Sequence, residues 1–346
     1  MTTSAAPELD AIWFTRCPVP TASGIAHNLG WLDGEFAPDG IAVGVLQDAP
    51  PEIARHHFDH ELPGLFREGG NVPALVARSQ GARTRLLGLT WIEERQAIVV
   101  RAGSGIDAAA ALRGARAAVP EWAATKGQSF PRAMAVSGFA GALASARLGL
   151  GDVELVEVTD DPDPSVGIDA ASRDAFWPGL RELADGRVDA VYVKGARAAE
   201  QAAAVGAVVA VDLDALPDRR HRVNNGTPRP ITVHESLLQA RPDLLVRFLR
   251  RTLQAADWAA AHPEEVRAIL ARETRSGAEG VRTAYAEGFH LALHPSLAAD
   301  RLDLLAQQEA FLHAHGYLAE RVSVEEWVDA GPLAEARATV AAAASA

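Results

Sequence analysis

The chain has 346 residues, 33 Lys plus Arg against 45 Asp plus Glu, and a formal net charge of −12. Length allows about two domains of roughly 150 residues, and the apolar fraction of 48% is enough to fill real cores. No basic block is present, which argues against nucleic acid or an anionic membrane surface as partner, and the single cysteine, Cys17, rules out an internal disulfide or a thiolate-built metal cluster.

Residues Met1 to Asp10 lack a basic stretch followed by an apolar one, so a secretory signal is not expected and a cytoplasmic location is. Trp13-Phe14 reads as strand and leads through Thr15-Arg16-Cys17-Pro18-Val19-Pro20 into a helix over Thr21–Trp31. A strand is expected over Ile41–Leu46, a helix over Pro73–Ala77, and strands over Arg85–Thr90 and Ala97–Val100. Next come a helix over Ala108–Leu112, a strand over Ala115–Val119, a helix over Pro131–Leu148, and strands over Val153–Val158 and Val188–Val193. A helix over Ala196–Ala204 precedes the strand Ala207–Val211; the longest uncharged apolar run, Ala202 to Val211, is about half a membrane span. From about residue 234 the pattern is wholly helical, over Ser236–Ala261, Pro263–Arg272 and Leu297–His315, with an Ala-rich tail from Ala334 to Ala346.

Short apolar runs alternating with helical stretches are the pattern of an α/β protein with parallel sheets. A small-residue link at Arg101–Ile106, and a second near Gly195 or Gly206, suggest that the chain leaves its first lobe and later returns to it. Residues 1–101 and 206–346 would form lobe I with a helical C-terminal cover, and residues 102–205 lobe II. The cleft between them is the expected ligand site.

Candidate chemistry starts at Cys17. A cysteine at a strand end, with Pro18 and Pro20 fixing the turn and a helix beginning near Thr21, sits where a helix N-terminus favours thiolate; buried packing is the other reading of a lone cysteine. The run from His56 to Gly70 offers partners. Arg67 with Gly69-Gly70 suits an oxyanion, since a guanidinium offers a fork of donors and glycines let backbone N–H groups come close, although Gly-Gly also serves as a helix C-cap. His56 and His60 are spaced to share a helical face as metal ligands, but no further ligand pattern accompanies them, and no metal or cofactor is expected. Ser137-Gly138 is either a helix cap able to hold an anionic group or a mid-helix interruption, and Asn224-Asn225-Gly226 is a turn signal. Tyr192, Trp177, Phe139 and Trp91 either line an aromatic pocket or belong to the core. There is no Walker, Gly-x-Gly-x-x-Gly or Gly-x-Ser-x-Gly pattern.

These residues together resemble the 2'-hydroxybiphenyl-2-sulfinate desulfinase family, which releases sulfite from an aryl sulfinate. The resemblance rests on Cys17-Pro18-Val19-Pro20, His57-Phe58 with Pro63, Arg67 with Gly69-Gly70, Arg83 to Thr90, Asp152 to Val156 and Asp189 to Tyr192. It implies the two-lobe, type II periplasmic-binding-protein-like fold used by nitrate, sulfonate and taurine transport proteins. Shared features of that wider group are Ala111-Leu112-Arg113-Gly114, Trp258 to Pro263 and Glu326-Trp327-Val328-Asp329. Carried over, the resemblance makes Cys17, His57 and Arg67 catalytic and Gly70 part of the site. Gly69, Ser137 and Tyr192 join them as expected substrate contacts. Two departures stand out: the stretch between Gln128 and Gly151 is shorter than in that family, and Glu68 replaces a phenylalanine after the arginine. The implied partner is a small sulfinate or sulfonate anion bound by a monomer. Either Cys17 thiolate attacks sulfur, or neutral Cys17 protonates the ring carbon while water takes the sulfur. A non-catalytic solute-binding protein for a sulfonate, nitrate or taurine-like anion is the alternative.

Overall fold

The computed structural model describes residues 9–15, 19–159 and 176–345. The chain lays down β1 (Ala11–Phe14), β2 (Ala42–Val45), β3 (Leu65–Glu68) and β4 (Thr84–Thr90), then crosses to a second sheet with β5 (Gln96–Arg101), β6 (Arg116–Pro120), β7 (Glu154–Val158), β8 (Ala190–Lys194) and β9 (Ala207–Asp212). It returns with β10 (Arg229–His234). The first sheet has the order β2-β1-β3-β10-β4 and the second β7-β6-β8-β5-β9. In each, four strands share one direction and the strand that enters from the other sheet runs against them, β10 against β3 and β4, and β5 against β8 and β9.

Pairing moves the expected lobe boundaries by one strand on each side. The sequence places residues 96–101 and 207–212 in lobe I, yet β5 and β9 pair with each other in the second sheet over Ala97↔Asp212 to Arg101↔Ala207. The crossings therefore lie at residues 91–95 and 213–228. Small residues mark turns as readily as lobe crossings, so Arg101–Ile106 and Gly206 only bound the β5 and β9 ends.

Three helices carry or adjoin the candidate residues: α1 (Ala22–Asn28), α2 (Asn71–Ser79) and α3 (Phe130–Ser145). The expected helix over Thr21–Trp31 ends early because Gly30 adopts φ 72°, a left-handed turn after which a second short helix starts at Trp31. Residues Ala109–Leu112 form only a single 3-10 turn. In the C-terminal third the long expected helix breaks at Arg241, and α4 (Pro242–Ala261) starts on Pro242, where a missing N–H costs nothing. Its apolar face, Leu245, Phe248 and Leu249, packs on Phe14, Phe66 and Ile231 of the first sheet, and the Phe66 and Phe248 rings stack at 4.1 Å. The second lobe has its own core of Ile98, Val100, Val119, Phe139 and Tyr192. No helix among the described residues is long and apolar enough to cross a membrane.

Candidate active site

His57 lies in a single helical turn, His56–Asp59, closed by His60 in the left-handed region at φ 59°. The chain then enters β3, which carries Arg67 into the interior at 1% exposure. The guanidinium folds back on its own neighbourhood. Its Nε donates to the His57 carbonyl at 3.0 Å, Nη1 donates to the Gly70 carbonyl at 3.0 Å, and Nη2 stands 3.5 Å from His57 Nε2. These bonds tie the histidine turn to the link between β3 and α2.

Each glycine of the pair has a different reason to be glycine. A Cβ on Gly69 would sit 2.5 Å from Arg67 Cζ, and one on Gly70 would sit 2.4 Å from Asn225 Oδ1. The pair follows a strand and precedes a helix, so it is not a C-cap. Gly69 N–H donates to the Pro230 carbonyl at 3.2 Å. Gly69 was expected to contact substrate; that N–H is already bonded, and its place is to make room for Arg67. The Gly70 N–H has no hydrogen-bond partner among the described residues. The next two N–H groups of α2 are capped by Asn225, Asn71 donating to its carbonyl at 2.8 Å and Val72 to Oδ1 at 2.9 Å.

The other lobe meets this turn through Asn224 and Asn225. Asn224 Nδ2 donates to the Met134 carbonyl of α3 and to the Tyr192 hydroxyl, both at 3.0 Å, while Asn71 Nδ2 donates to the Asn224 carbonyl at 2.7 Å. A sequence reading of a turn could not supply these bonds, which join segments 32, 90 and 153 positions apart. Tyr192 was expected at the substrate. Its ring lies against Gly138, where a Cβ would come within 2.0 Å, and its hydroxyl also donates to Gln96 Oε1 at 2.8 Å, so the side chain braces the lobes. Trp91 and Phe139 are core residues, and Trp177 donates its indole N–H to the Tyr192 carbonyl at 2.6 Å.

Ser137 is not a cap: α3 begins seven residues earlier at Phe130. Its N–H is thus inside the helix, but its buried Oγ lacks a partner among the described residues. Cys17 lies outside the described residues. On either side of it, Thr15 Oγ1 donates to the Glu68 carbonyl at 2.8 Å and Ser23 Oγ donates to Glu68 Oε2. Glu68 Oε1 accepts from Thr90 at 2.9 Å, and burial pushes its carboxyl above the usual range.

Burial, reinforced by the charges of Arg67 and Arg229, holds His57 well below the ordinary histidine range, so the imidazole is neutral. Burial and Arg67 do the same to His60, whose Nε2 lies 3.1 Å from the His57 carbonyl. His56 pairs with Asp59 at 2.6 Å rather than facing His60 across a shared ligand position.

The chain is 31% identical to 2'-hydroxybiphenyl-2-sulfinate desulfinases of Rhodococcus erythropolis and Rhodococcus qingshengii, over 92% of this chain and 91% of theirs. It belongs to the 2'-hydroxybiphenyl-2-sulfinate desulfinase family. The desulfinase structure DszB, a cysteine-to-serine mutant in complex with biphenyl-2-sulfinic acid, superposes with a TM-score of 0.79 at 28% identity, covering 96% of this chain and all of that one. Residues 174–266 match the NMT1/THI5 like family model. The periplasmic aliphatic sulphonate binding protein SsuA of Escherichia coli shares the fold at 15% identity and a TM-score of 0.67, covering 93% of this chain and 92% of that one. This desulfinase-family chain thus has the two-lobe, periplasmic-binding-protein-like architecture.

Proposed function

We propose that the chain is a hydrolase that cleaves the carbon–sulfur bond of an aryl sulfinate, taking up water and releasing the arene and sulfite. The observation that carries this reading is the buried His57–Arg67–Gly70 cluster in a chain of the desulfinase family. A sulfinate is anionic at neutral pH and needs donors held in a water-poor site; the Gly70 N–H and the Ser137 hydroxyl are suited to that task. Arg67 holds the turn in shape and supplies positive charge. His57 Nδ1 is buried without a partner among the described residues, which leaves that ring position to serve the Cys17 thiol. Thr15 and Ser23, which lie on either side of the cysteine in the sequence, both bond Glu68, the residue after Arg67. The protein acts as a cytoplasmic monomer in this reading.

The test is sulfite release from biphenyl-2-sulfinate by the wild-type chain and by Cys17→Ser. Loss of release with ligand binding retained supports the assignment, whereas full turnover by the serine variant removes it. Rapid-quench mass spectrometry then distinguishes the two chemistries: a sulfur-containing adduct on Cys17 assigns it as nucleophile, and an unmodified thiol assigns it as proton donor.

A further inference from the structure

Arg229 opens β10 where the chain re-enters the first sheet, and it is 5% exposed. Its Nε and Nη1 are buried with no hydrogen-bond partner among the described residues. A buried guanidinium normally has its donors matched, because stripping water from a charge is costly unless an acceptor replaces it. The neighbouring cations already have acceptors: Arg67 bonds two carbonyls, and Lys194 Nζ pairs with Glu94 Oε2 at 3.3 Å. Glu94 in turn accepts from the Tyr285 hydroxyl at 2.9 Å.

The surroundings bring two buried cations together at the crossing between the lobes. A Cβ on Gly226 would lie 2.7 Å from Lys194 Nζ and 3.0 Å from Arg229 Nη2, so only a glycine leaves both cations in place. Lys194 comes from the second sheet and Arg229 from the first, while Glu94 and Gly226 belong to the two crossing segments. The Arg229 charge also reaches His57 and Glu68, which puts it on the side of the catalytic cluster.

We infer that Arg229, with Lys194 beside it, holds an oxyanion of the ligand in the cleft between the lobes. This rests on reading the cleft as the sulfinate site. The oxyanion is either the sulfur-centred group itself or a second acidic substituent on the same aryl ligand. Both present the same chemistry to a guanidinium, and binding measurements separate them.

The experiment is isothermal titration of wild type, Arg229→Met and Arg229→Lys with three ligands: biphenyl-2-sulfonate, its 2'-carboxylate derivative and the uncharged biphenyl-2-sulfonamide. Arg229→Met should weaken an anionic ligand at least about tenfold, the scale of one charge-assisted hydrogen bond, while sulfonamide affinity stays unchanged. Weakening of both anions assigns the sulfur-centred group; weakening of the carboxylate derivative alone assigns the second acid. Arg229→Lys keeps the charge and should lose less, and it carries the test if the methionine variant does not fold. Equal anion affinities in wild type and variants overturn the inference, as does a wild type that binds neither anion. Sulfite release from biphenyl-2-sulfinate is measured in parallel. A wild type that binds anions through Arg229 yet releases no sulfite would sink the desulfinase reading and leave this one standing.

Discussion

Arg67 donates to the carbonyl of His57 and places a second guanidinium nitrogen 3.5 Å from the same residue's ring, so one side chain holds the histidine's backbone and adds its charge to the burial that disfavours the imidazolium. Burial, together with a cation this close, holds the histidine well below its ordinary pKa of 6.5, so the imidazole is neutral. The unfolded chain takes up those protons as pH falls below 6.5 and the folded chain does not. The stability linked to His57 and His60 is therefore fully present above that pH and is lost as pH falls below it. We expect the melting temperature to drop between pH 7 and pH 5, and the drop to be smaller in His60→Gln, which leaves His57, Arg67 and Gly70 unchanged. Identical slopes for the two proteins would show that His60 charges within the fold.

Gly69 leaves no room for a side chain, since its Cβ would fall among the Arg67 guanidinium atoms at 2.5 Å. Gly69→Ala should push the guanidinium off the His57 and Gly70 carbonyls and destabilise the fold by about 1–3 kcal/mol, the range for overpacking a filled interior. Urea denaturation measures the loss. A change below about 0.5 kcal/mol, the usual limit for substitutions away from such features, would mean that the Arg67 side chain can move aside freely.

The parts of this arrangement that were legible in the sequence are those set by local pattern. Strands such as β8 and β9 read correctly because Ala190–Lys194 and Ala207–Asp212 are runs of small and β-branched residues. β3 and β10 did not, because Arg67 and Glu68 interrupt one, and Arg229, Pro230 and His234 the other, with residues that a strand buries only when tertiary partners satisfy them. The same holds at the site. Chemistry-bearing types at Arg67 and His57 could be picked out singly, whereas the bonds of Asn224, Asn225 and Tyr192 depend on which segments the two crossings bring together.

Asn225 accepts the Val72 N–H at 2.9 Å and so caps α2 from a segment 153 positions away. Asn225→Ala removes that acceptor and opens the space beside Gly70. A stability loss of about 1 kcal/mol is expected, typical of a lost helix cap. Because the cap sets the direction of the first turn of α2, the KM for sulfinate should rise as well, with kcat less affected. Unchanged KM would separate the cap from the anion site.

Asp189 anchors the second lobe by accepting from the Arg116 backbone N–H at 3.0 Å, from Arg116 Nη2 at 2.7 Å and from Arg101 Nη2 at 3.4 Å. The hydrogen bonds from Arg116, the largest contribution, hold its carboxyl at about 2 against an ordinary 3.8. A depressed carboxylate pKa adds stability that is fully present above 3.8 and lost as pH falls toward about 2. At 1.36 kcal/mol per pKa unit, and discounted for partial solvent screening, the contribution is about 1–2 kcal/mol. Asp189→Asn should therefore lower the unfolding free energy by that amount at pH 7, with wild type and variant converging as the pH approaches 2. The residue lies at the base of β8 and takes no part in the proposed chemistry, so sulfite release per folded molecule should stay at the wild-type level. Parallel stability curves across the whole acid range would show that the carboxylate draws nothing from its two arginines.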